Sequence, residues 1–278
     1  MAGYQSNWWD ILNSAFMRHA LLGGTIIALA AGLIGYFIVV RRTAFAAHAL
    51  AHIGLPGATG AVLLGLPPAL GLGVFCVGGA LTIGALGARA GDRDVVTGTT
   101  LAFATGLGLF FNSLATKSSN TMTNVLFGNL LAISREQLIA FAALLAVLAL
   151  MIGISYRPLL YSSVNAAVAE AKGVPVRALS IMFMVLLAVA VTMSVQVVGT
   201  LLLFALVVTP AATAIMLTAR PGLAMGISAA ISVLSVACGL GLSAMFNMPP
   251  SFLVVTVACS IWLAVRVSRS GTVSVSEV

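Results

Sequence analysis

The chain has 278 residues, of which 61% are hydrophobic and 7% are charged, and its formal net charge is +7. Soluble domains carry about 25% charged residues, so these few charges exclude a water-soluble globule and predict a protein whose surface mostly faces lipid. The basic residues form no block interleaved with aromatic residues, so they predict anchors at helix ends near anionic lipid and exclude a nucleic-acid partner.

Apolar stretches long enough to cross a bilayer follow one another along the chain without a polar linker. A spanning helix needs about 20 apolar residues. We therefore predict an all-α polytopic membrane protein of about 8–9 transmembrane helices. It forms a single domain over residues 1–278, membrane-embedded over about 16–267. The candidate spans are 17–40, 44–66, 69–88, 95–111, 137–155, 178–193, 195–217, 223–245 and 251–265.

The basic residues also predict how the chain is oriented, because cytoplasmic loops carry the excess of Lys and Arg. With the N-terminus outside and the C-terminus cytoplasmic, ten basic residues fall in inner loops and three fall outside. Trp8 and Trp9 are then predicted to anchor the chain at the outer interface. The inner residues are Arg41, Arg42, Arg89, Arg93, Arg157, Lys172, Arg177, Arg220, Arg266 and Arg269, and the outer ones are Arg18, Lys117 and Arg135.

The second predicted span carries two histidines, His48 and His52, ahead of the stretch Gly54-Leu55-Pro56-Gly57. Residues at i and i+4 of a helix share one face, so both imidazoles could ligate a divalent transition metal, with zinc the natural fit. The alternative is that each histidine donates to a backbone carbonyl in a packed interior. Pro56 and Gly57 predict a kink or a short unwound stretch in this span.

Small residues in the third predicted span indicate close helix packing in lipid. Each cysteine lies inside an apolar run without a short-spaced pair, which predicts small core residues and neither a disulfide nor a zinc site. The glycines concerned include Gly71, Gly73, Gly78, Gly79 and Gly84, and the cysteines are Cys76, Cys238 and Cys259.

The acidic residues and the lysines restrict the energy source. No span centre holds a carboxylate, which weighs against a proton-coupled or sodium-coupled carrier. The chain has no Gly-x-x-x-x-Gly-Lys-Ser/Thr loop to hold ATP phosphates. We therefore predict that the chain is not an enzyme and that any ATP hydrolysis is supplied by a separate ATPase chain. In the seventh span, Thr209-Pro210 predicts a helix kink at Pro210.

Two stretches between the predicted spans are too polar to cross the membrane. Residues 118–131 predict a short helix at the outer face. Residues 160–177 lie on the inner side, and 167–173 predict a short helix that Gly173 and Pro175 end. That helix is either a docking element on the cytoplasmic face or a plain amphipathic connector, and its spacing leaves both open.

Four motifs, in order, resemble the membrane permease subunits of bacterial ABC importers for zinc, manganese and iron, and they cover nearly the whole chain. The first runs from Phe16-Met17-Arg18-His19 into Val39-Val40-Arg41-Arg42, and the second is Ala49-Leu50-Ala51-His52-Ile53-Gly54-Leu55-Pro56-Gly57. The third is Leu126-Phe127-Gly128-Asn129-Leu130-Leu131, and the fourth runs from Val198-Gly199-Thr200 to Thr209-Pro210-Ala211.

The resemblance implies a homodimer of permeases over ABC ATPase subunits in the bacterial cytoplasmic membrane, fed by an extracytoplasmic metal-binding protein. It implies that 160–177 includes a coupling helix, where Glu170 and Gly173, with Lys172 between them, match the family's loop loosely. It also implies that the second motif lines the metal path. The chain is then expected to hold no cofactor of its own and to pass a divalent metal ion.

At the second motif the chain departs from the usual family pattern, Asp-x-x-x-His. His52 matches the histidine, and His48 occupies the aspartate position. Because two imidazoles favour a softer ion than aspartate with histidine does, we expect zinc over manganese or iron. Asn129 stands where some family members have aspartate. The alternatives are an ABC permease for a metal chelate (a siderophore or a cobalamin), a secondary carrier, and a non-transporting scaffold.

Overall fold

The structure is a computed structural model that describes residues 14–87, 90–114, 123, 125–200 and 202–273. The elements in this part of the chain are helical, with no strand, which confirms the all-α class. Trp8, Trp9 and Lys117 lie outside the described residues, as do 118–122 and 124 of the predicted outer helix 118–131. The helices are α1 (Ala15–Val40), α2 (Ala44–Leu63), α3 (Pro68–Leu86), α4 (Ala90–Leu114), α5 (Arg135–Val164), α6 (Ala166–Ala171), α7 (Val176–Val198), α8 (Leu203–Val207), α9 (Thr209–Leu217), α10 (Pro221–Phe246) and α11 (Pro250–Val273).

Seven of the described helices are long and apolar enough to cross a membrane, judged by length and composition. They are α1, α3, α4, α5, α7, α10 and α11, and each coincides with a predicted span. Helix α2 coincides with the second predicted span but is not among the seven, and it carries two histidines and Pro56. Large apolar side chains stand exposed on these helices, for example Phe103 at 72% and Ile154 at 71%. Such surfaces need lipid around them.

The seventh predicted span, 195–217, is interrupted. Helix α7 continues to Val198, and only Leu203–Leu217 follows as a shorter apolar stretch, itself divided at Val208. At 1.5 Å per residue this stretch reaches about 22 Å, which is short of the hydrocarbon core of about 30 Å. Predicting a boundary between two spans near residue 194 was therefore wrong, because the helix ends at Gly199, which has a φ of +84°.

The two prolines predicted to bend helices behave differently. Helix α2 runs from Ala44 to Leu63 with Pro56 inside it, so the predicted unwound stretch is absent and a kink there stays a prediction. Pro210 lies in the first turn of α9, directly after the break at Val208. Proline is tolerated in a first turn because the missing N–H would lack a helical partner there anyway.

The chain divides into two compact units, and the predicted single domain stays a prediction. The histidine-bearing unit comprises Val40–Asn129 and Ala143–Leu203. In it α2 packs against α3, α4 and α7, and α3 also packs against α7. A Cβ atom added to Gly57 would collide with the carbonyl oxygen of Gly71, and one added to Gly71 would collide with that of Gly57. The predicted close packing of the third span is therefore found at Gly71.

The other unit comprises Met1–Val39, Leu130–Ala142 and Phe204–Val278. Helices α9, α10 and α11 pack against one another there. Gly32 of α1 lies against the backbone of Ala229 in α10. A Cβ atom added to Gly239 of α10 would lie 2.6 Å from the backbone nitrogen of Val254 in α11. This unit also relies on small residues where helices cross, as expected when lipid gives no hydrophobic drive for helices to associate.

The cysteines differ from the prediction at two positions. Cys76 is fully buried, as predicted, and its thiol donates a hydrogen bond to the carbonyl of Leu50 at 3.2 Å. Cys238 and Cys259 are exposed on α10 and α11, so predicting them as core residues was wrong. The reason is that lipid is as apolar as a helix interior, and a small apolar side chain can face either.

Candidate functional site

His48 and His52 lie on one face of α2, with their ring centroids 4.8 Å apart and their planes at 68°. Both side chains are half-buried. This is the geometry that the i, i+4 spacing dictates on a continuous helix. Two imidazoles this close can present nitrogen lone pairs to one ion.

Packing against α3 fixes the direction in which the two imidazoles point. Helix α2 contacts α3 at Leu50, Gly54 and Gly57. At Leu50 the contact is the hydrogen bond from the thiol of Cys76. With 3.6 residues per turn, these positions lie about half a turn around α2 from the histidines. The histidine pair therefore projects away from α3, and the close glycine contacts set the rotation of α2 about its own axis.

The histidine pair has too few ligands to form a complete metal site within the described part of one chain. Among the described residues, no group of three or more His, Cys, Asp and Glu side chains lies close enough to hold a metal ion. The third histidine, His19, belongs to α1 in the other unit. Because structural zinc sites close a shell of four ligands, two imidazoles alone can hold an ion only weakly.

The third and fourth sequence motifs meet through their backbones, a contact that the sequence did not predict. The amide of Thr200 donates to the carbonyl of Val125 at 3.0 Å, and the amide of Asn129 donates to that of Gln196 at 3.3 Å. Gly128 and Gly199 face each other between these bonds with φ of +72° and +84°. A signal was present, because each motif places a glycine where a helix stops. Asn129 is thereby held at the end of α7.

The predicted short helix in 160–177 is present as α6. The side chain of Asn165 caps it by accepting a hydrogen bond from the amide of Val168 at 3.1 Å. Gly173 follows with a φ of +80°, which is typical of a residue that ends a helix. The first five residues of the predicted segment, 160–164, instead continue α5.

Most of α6 is exposed, and Glu170 is the charged residue within it. Glu170 and Lys172 are exposed, while Ala169 is buried and holds the helix to the protein. The Lys172 ammonium lies 5.4 Å from the centre of the Tyr161 ring, a cation–π contact that ties this end of the segment to α5. Helix α6 is therefore a defined surface feature with a cap at each end.

Comparison with known proteins places the chain among transport permeases. The sequence model of the ABC 3 transport family matches residues 13–269. The manganese transport system membrane protein MntC of Listeria innocua is 30% identical, over 91% of this chain and 90% of its own length. A probable iron transport system membrane protein of Haemophilus influenzae is 29% identical, over 85% of this chain and 87% of its own length.

A solved structure is also similar over almost the whole length. The structure of PsaBC from Streptococcus pneumoniae in complex with Fab contains a chain with a TM-score of 0.83 and 29% sequence identity. The match covers 94% of this chain and 94% of that chain.

Proposed function

Because the chain belongs to the ABC 3 transport family, we propose that it is the membrane-spanning subunit of an ATP-driven importer for divalent transition metal ions. Its helices and its relatives make it a multi-pass protein of a bacterial cell membrane. The observation that carries the metal proposal is the pair His48 and His52, with ring centroids 4.8 Å apart on a helix that is otherwise almost free of polar side chains. Ionisable side chains in membrane helices usually mark a substrate path.

Zinc is the metal that the ligand chemistry favours. Imidazole nitrogen suits zinc, whereas manganese prefers ligand sets that include carboxylate oxygen. A carboxylate at position 48, which the family pattern usually provides, is replaced here by His48. Manganese is the second candidate, because several relatives are named as manganese transport proteins.

A pathway must release the ion as well as select it. The two nitrogens of one chain leave the shell incomplete, so the ion would exchange quickly with water or with ligands from a neighbouring chain. In a homodimer, a second copy of His48 and His52 could complete the shell for a moment and then withdraw. The proposed cycle therefore needs two copies of this chain.

The driving force would enter at α6. The chain has no phosphate-binding loop of its own, so a separate ATPase subunit must bind and hydrolyse ATP. The exposed face of α6, with Glu170 and Lys172 beside Gly173, offers a rigid element for such a subunit to push. An extracytoplasmic metal-binding protein would deliver the ion from the other side.

The test is uptake of radioactive zinc into proteoliposomes that hold the permease with its ATPase and binding protein. The variants are His48→Ala and His52→Ala, and the matched control is His19→Ala, which removes the remaining histidine outside the pair. We expect ATP-dependent uptake by the wild type and the control, and loss of uptake in both pair variants while ATP hydrolysis continues.

The outcomes separate the candidates. Normal zinc uptake by both pair variants would reject the histidine path and favour a permease for a bulky chelate, which needs no ligand in its passage. Uptake without ATP or ATPase would instead indicate a secondary carrier. Replacing zinc by manganese in the same assay decides between the two metals, because faster manganese uptake by the wild type contradicts the zinc preference.

A further inference from the structure

A cavity of about 700 Å³ lies in the histidine-bearing unit, away from the histidines, where four arginines converge. It is formed by the segment after α1, the first turns of α4 and the connection from α5 to α7. The arginines are Arg41, Arg42, Arg93 and Arg177. In the sequence these residues are basic anchors on the predicted inner side, and Arg41 and Arg42 also end the first motif. The proposed metal path gives them no task.

Positive charge dominates this cavity. Among the described residues that line it, four are arginines and one, Glu170, carries a carboxylate. Of the four arginines, Arg42 and Arg177 are exposed, and Arg41 and Arg93 are partly buried. Like charges at this density repel one another, and the repulsion is strong where water is partly excluded.

The two partly buried arginines are held in place by neutral groups. One Nη of Arg41 donates to the hydroxyls of Ser162 at 3.2 Å and Ser163 at 3.1 Å, and its guanidinium lies 5.0 Å from the centre of the Phe183 ring. Arg93 donates to the hydroxyl of Ser180 at 3.2 Å. The hydroxyls of Ser162 and Ser163 in turn donate hydrogen bonds to the carbonyl of Leu159. These hydroxyls therefore orient Arg41 without neutralising its charge.

Two features show that the structure maintains this charge at a free-energy cost. Burial, and then the neighbouring Arg93, lower the pKa of Arg41 to about 10, so the group is still protonated near neutral pH. Arg42 has a φ of +54°, a left-handed conformation that is uncommon for a residue with a Cβ. Arg42, in this conformation, lines the same cavity as Arg41.

We propose that this cavity is a binding site for a phosphate-bearing anion. Guanidinium groups form paired, charge-assisted hydrogen bonds with phosphate oxygens, and arginine is the preferred residue for such planar recognition. The volume falls in the range of small-molecule sites. The bound anion would offset the repulsion among the arginines and hold the connection that carries α6, since Ala166, Glu170 and Val176 also line the cavity.

The same chemistry is available from two sources. One is a soluble phosphate compound, and the other is the phosphodiester of an anionic lipid headgroup at the membrane surface. The experiment uses the full-length chain in an uncharged detergent. Its probes are radiolabelled inorganic phosphate, measured by equilibrium dialysis, and mixed micelles containing phosphatidylglycerol or phosphatidylcholine, measured by the shift in Tm.

The test variants are Arg42→Gln and Arg177→Gln, because both side chains are exposed and their loss should leave the fold intact. Arg157→Gln is the matched control: it removes the same charge from an exposed position in the same unit, outside the cavity. We expect each test variant to weaken binding about tenfold, as the loss of one charge-assisted contact does, and the control to bind as the wild type does.

Each outcome decides a point. Binding of inorganic phosphate that depends on Arg42 and Arg177 supports the site and assigns it to a soluble compound. A rise in Tm with phosphatidylglycerol alone, lost in the same variants, supports it and assigns it to a lipid headgroup. If no probe binds, or if Arg157→Gln weakens binding as much as the test variants, the proposal is overturned.

Discussion

His48 occupies a position where the resembled family usually has aspartate, and in the proposed metal path this exchange would change the chemistry of a single ligand. A carboxylate offers a hard, charged oxygen, whereas an imidazole offers a neutral nitrogen. His52 is one turn away in either case, so the geometry of the pair would be kept. The metal preference can therefore be tested by a single substitution.

We predict that His48→Asp shifts the preference of the importer from zinc toward manganese. The carboxylate restores a hard ligand beside His52, and manganese gains more from it than zinc does. The measurement is uptake of both metals in competition, with His19→Asp as the control for adding a carboxylate elsewhere. An unchanged ratio of zinc to manganese would show that position 48 does not ligate the ion.

The histidine pair also predicts how uptake depends on pH. Only the neutral imidazole ligates a metal, and histidine has an ordinary pKa of about 6.5. Uptake should therefore be greatest where both imidazoles are neutral and should decline as the pH falls and they take up protons. The measurement is initial uptake between about pH 5 and 8, with delivery by the binding protein held constant. A flat profile over that range argues against imidazole ligands.

At the scale of the helix, the crossing of α2 and α3 decides where the histidines point. The two backbones approach closely at Gly57 and Gly71, where neither position has room for a Cβ atom. On the same helix as Gly71, Gly78 has open space around it. Substituting Gly71 and Gly78 by alanine therefore separates the effect of helix packing on stability from the effect of helix propensity.

We predict that Gly71→Ala lowers the stability of the fold, by about 1–3 kcal/mol, because an added methyl group must push the two helices apart. Gly78→Ala should be neutral or stabilising by up to about 1 kcal/mol, since alanine favours a helix and meets no neighbour. Thermal unfolding in detergent measures both. Equal losses of Tm in the two variants would contradict the packing argument.

The contact of Gly128 with Gly199 permits a second comparison at this scale. Both residues have positive φ, and an added Cβ at either would meet the other segment's backbone. Gly173 also has positive φ, but nothing lies within 4 Å of its added Cβ. An alanine at position 173 would therefore show the free-energy cost of the left-handed conformation alone, which is about 1–2 kcal/mol.

We predict that Gly199→Ala reduces the yield of folded protein far more than Gly173→Ala does. The first substitution combines backbone strain with a collision, and the second carries the strain alone. The measurement is the fraction of monodisperse protein after extraction, followed by Tm. If the two variants lose the same stability, the contact between the third and fourth motifs contributes little.

For the whole molecule, the sequence predicted the fold class and the positions of most helices because apolar length is a local property. The runs from Ala15 to Val40 and from Pro221 to Phe246 needed no tertiary information. The extension of α7 to Val198 was missed because its end depends on Gly199 pairing with a distant segment. The exposure of the Cys238 side chain was missed because composition does not distinguish a lipid-facing side chain from a buried one.

The candidate site was predictable only to the extent that it is local. One turn of helix separates His48 from His52, so their shared face followed from spacing alone. The convergence of Arg41, Arg93 and Arg177 in one cavity joins three distant parts of the chain, and no local pattern indicates it. Such clusters follow from topology, which a single sequence does not specify.

The distribution of basic residues predicts the orientation of the molecule in the membrane. With the N-terminus outside, Arg135 lies outside and Lys172 lies inside, and both side chains are exposed. In a variant whose native cysteines are replaced by alanine, a membrane-impermeant thiol reagent added to intact spheroplasts should label Arg135→Cys and not Lys172→Cys. The reverse pattern would invert the proposed direction of transport.

The exposed cysteines of α10 and α11 have a consequence for redox chemistry. Cys238 and Cys259 lie well inside their helices, on faces that we assign to lipid. A thiol must ionise before it attacks a disulfide or reacts with an oxidant, and hydrocarbon does not support that charge. The two thiols can therefore persist in the reduced form without a disulfide partner, even where the surrounding water is oxidising.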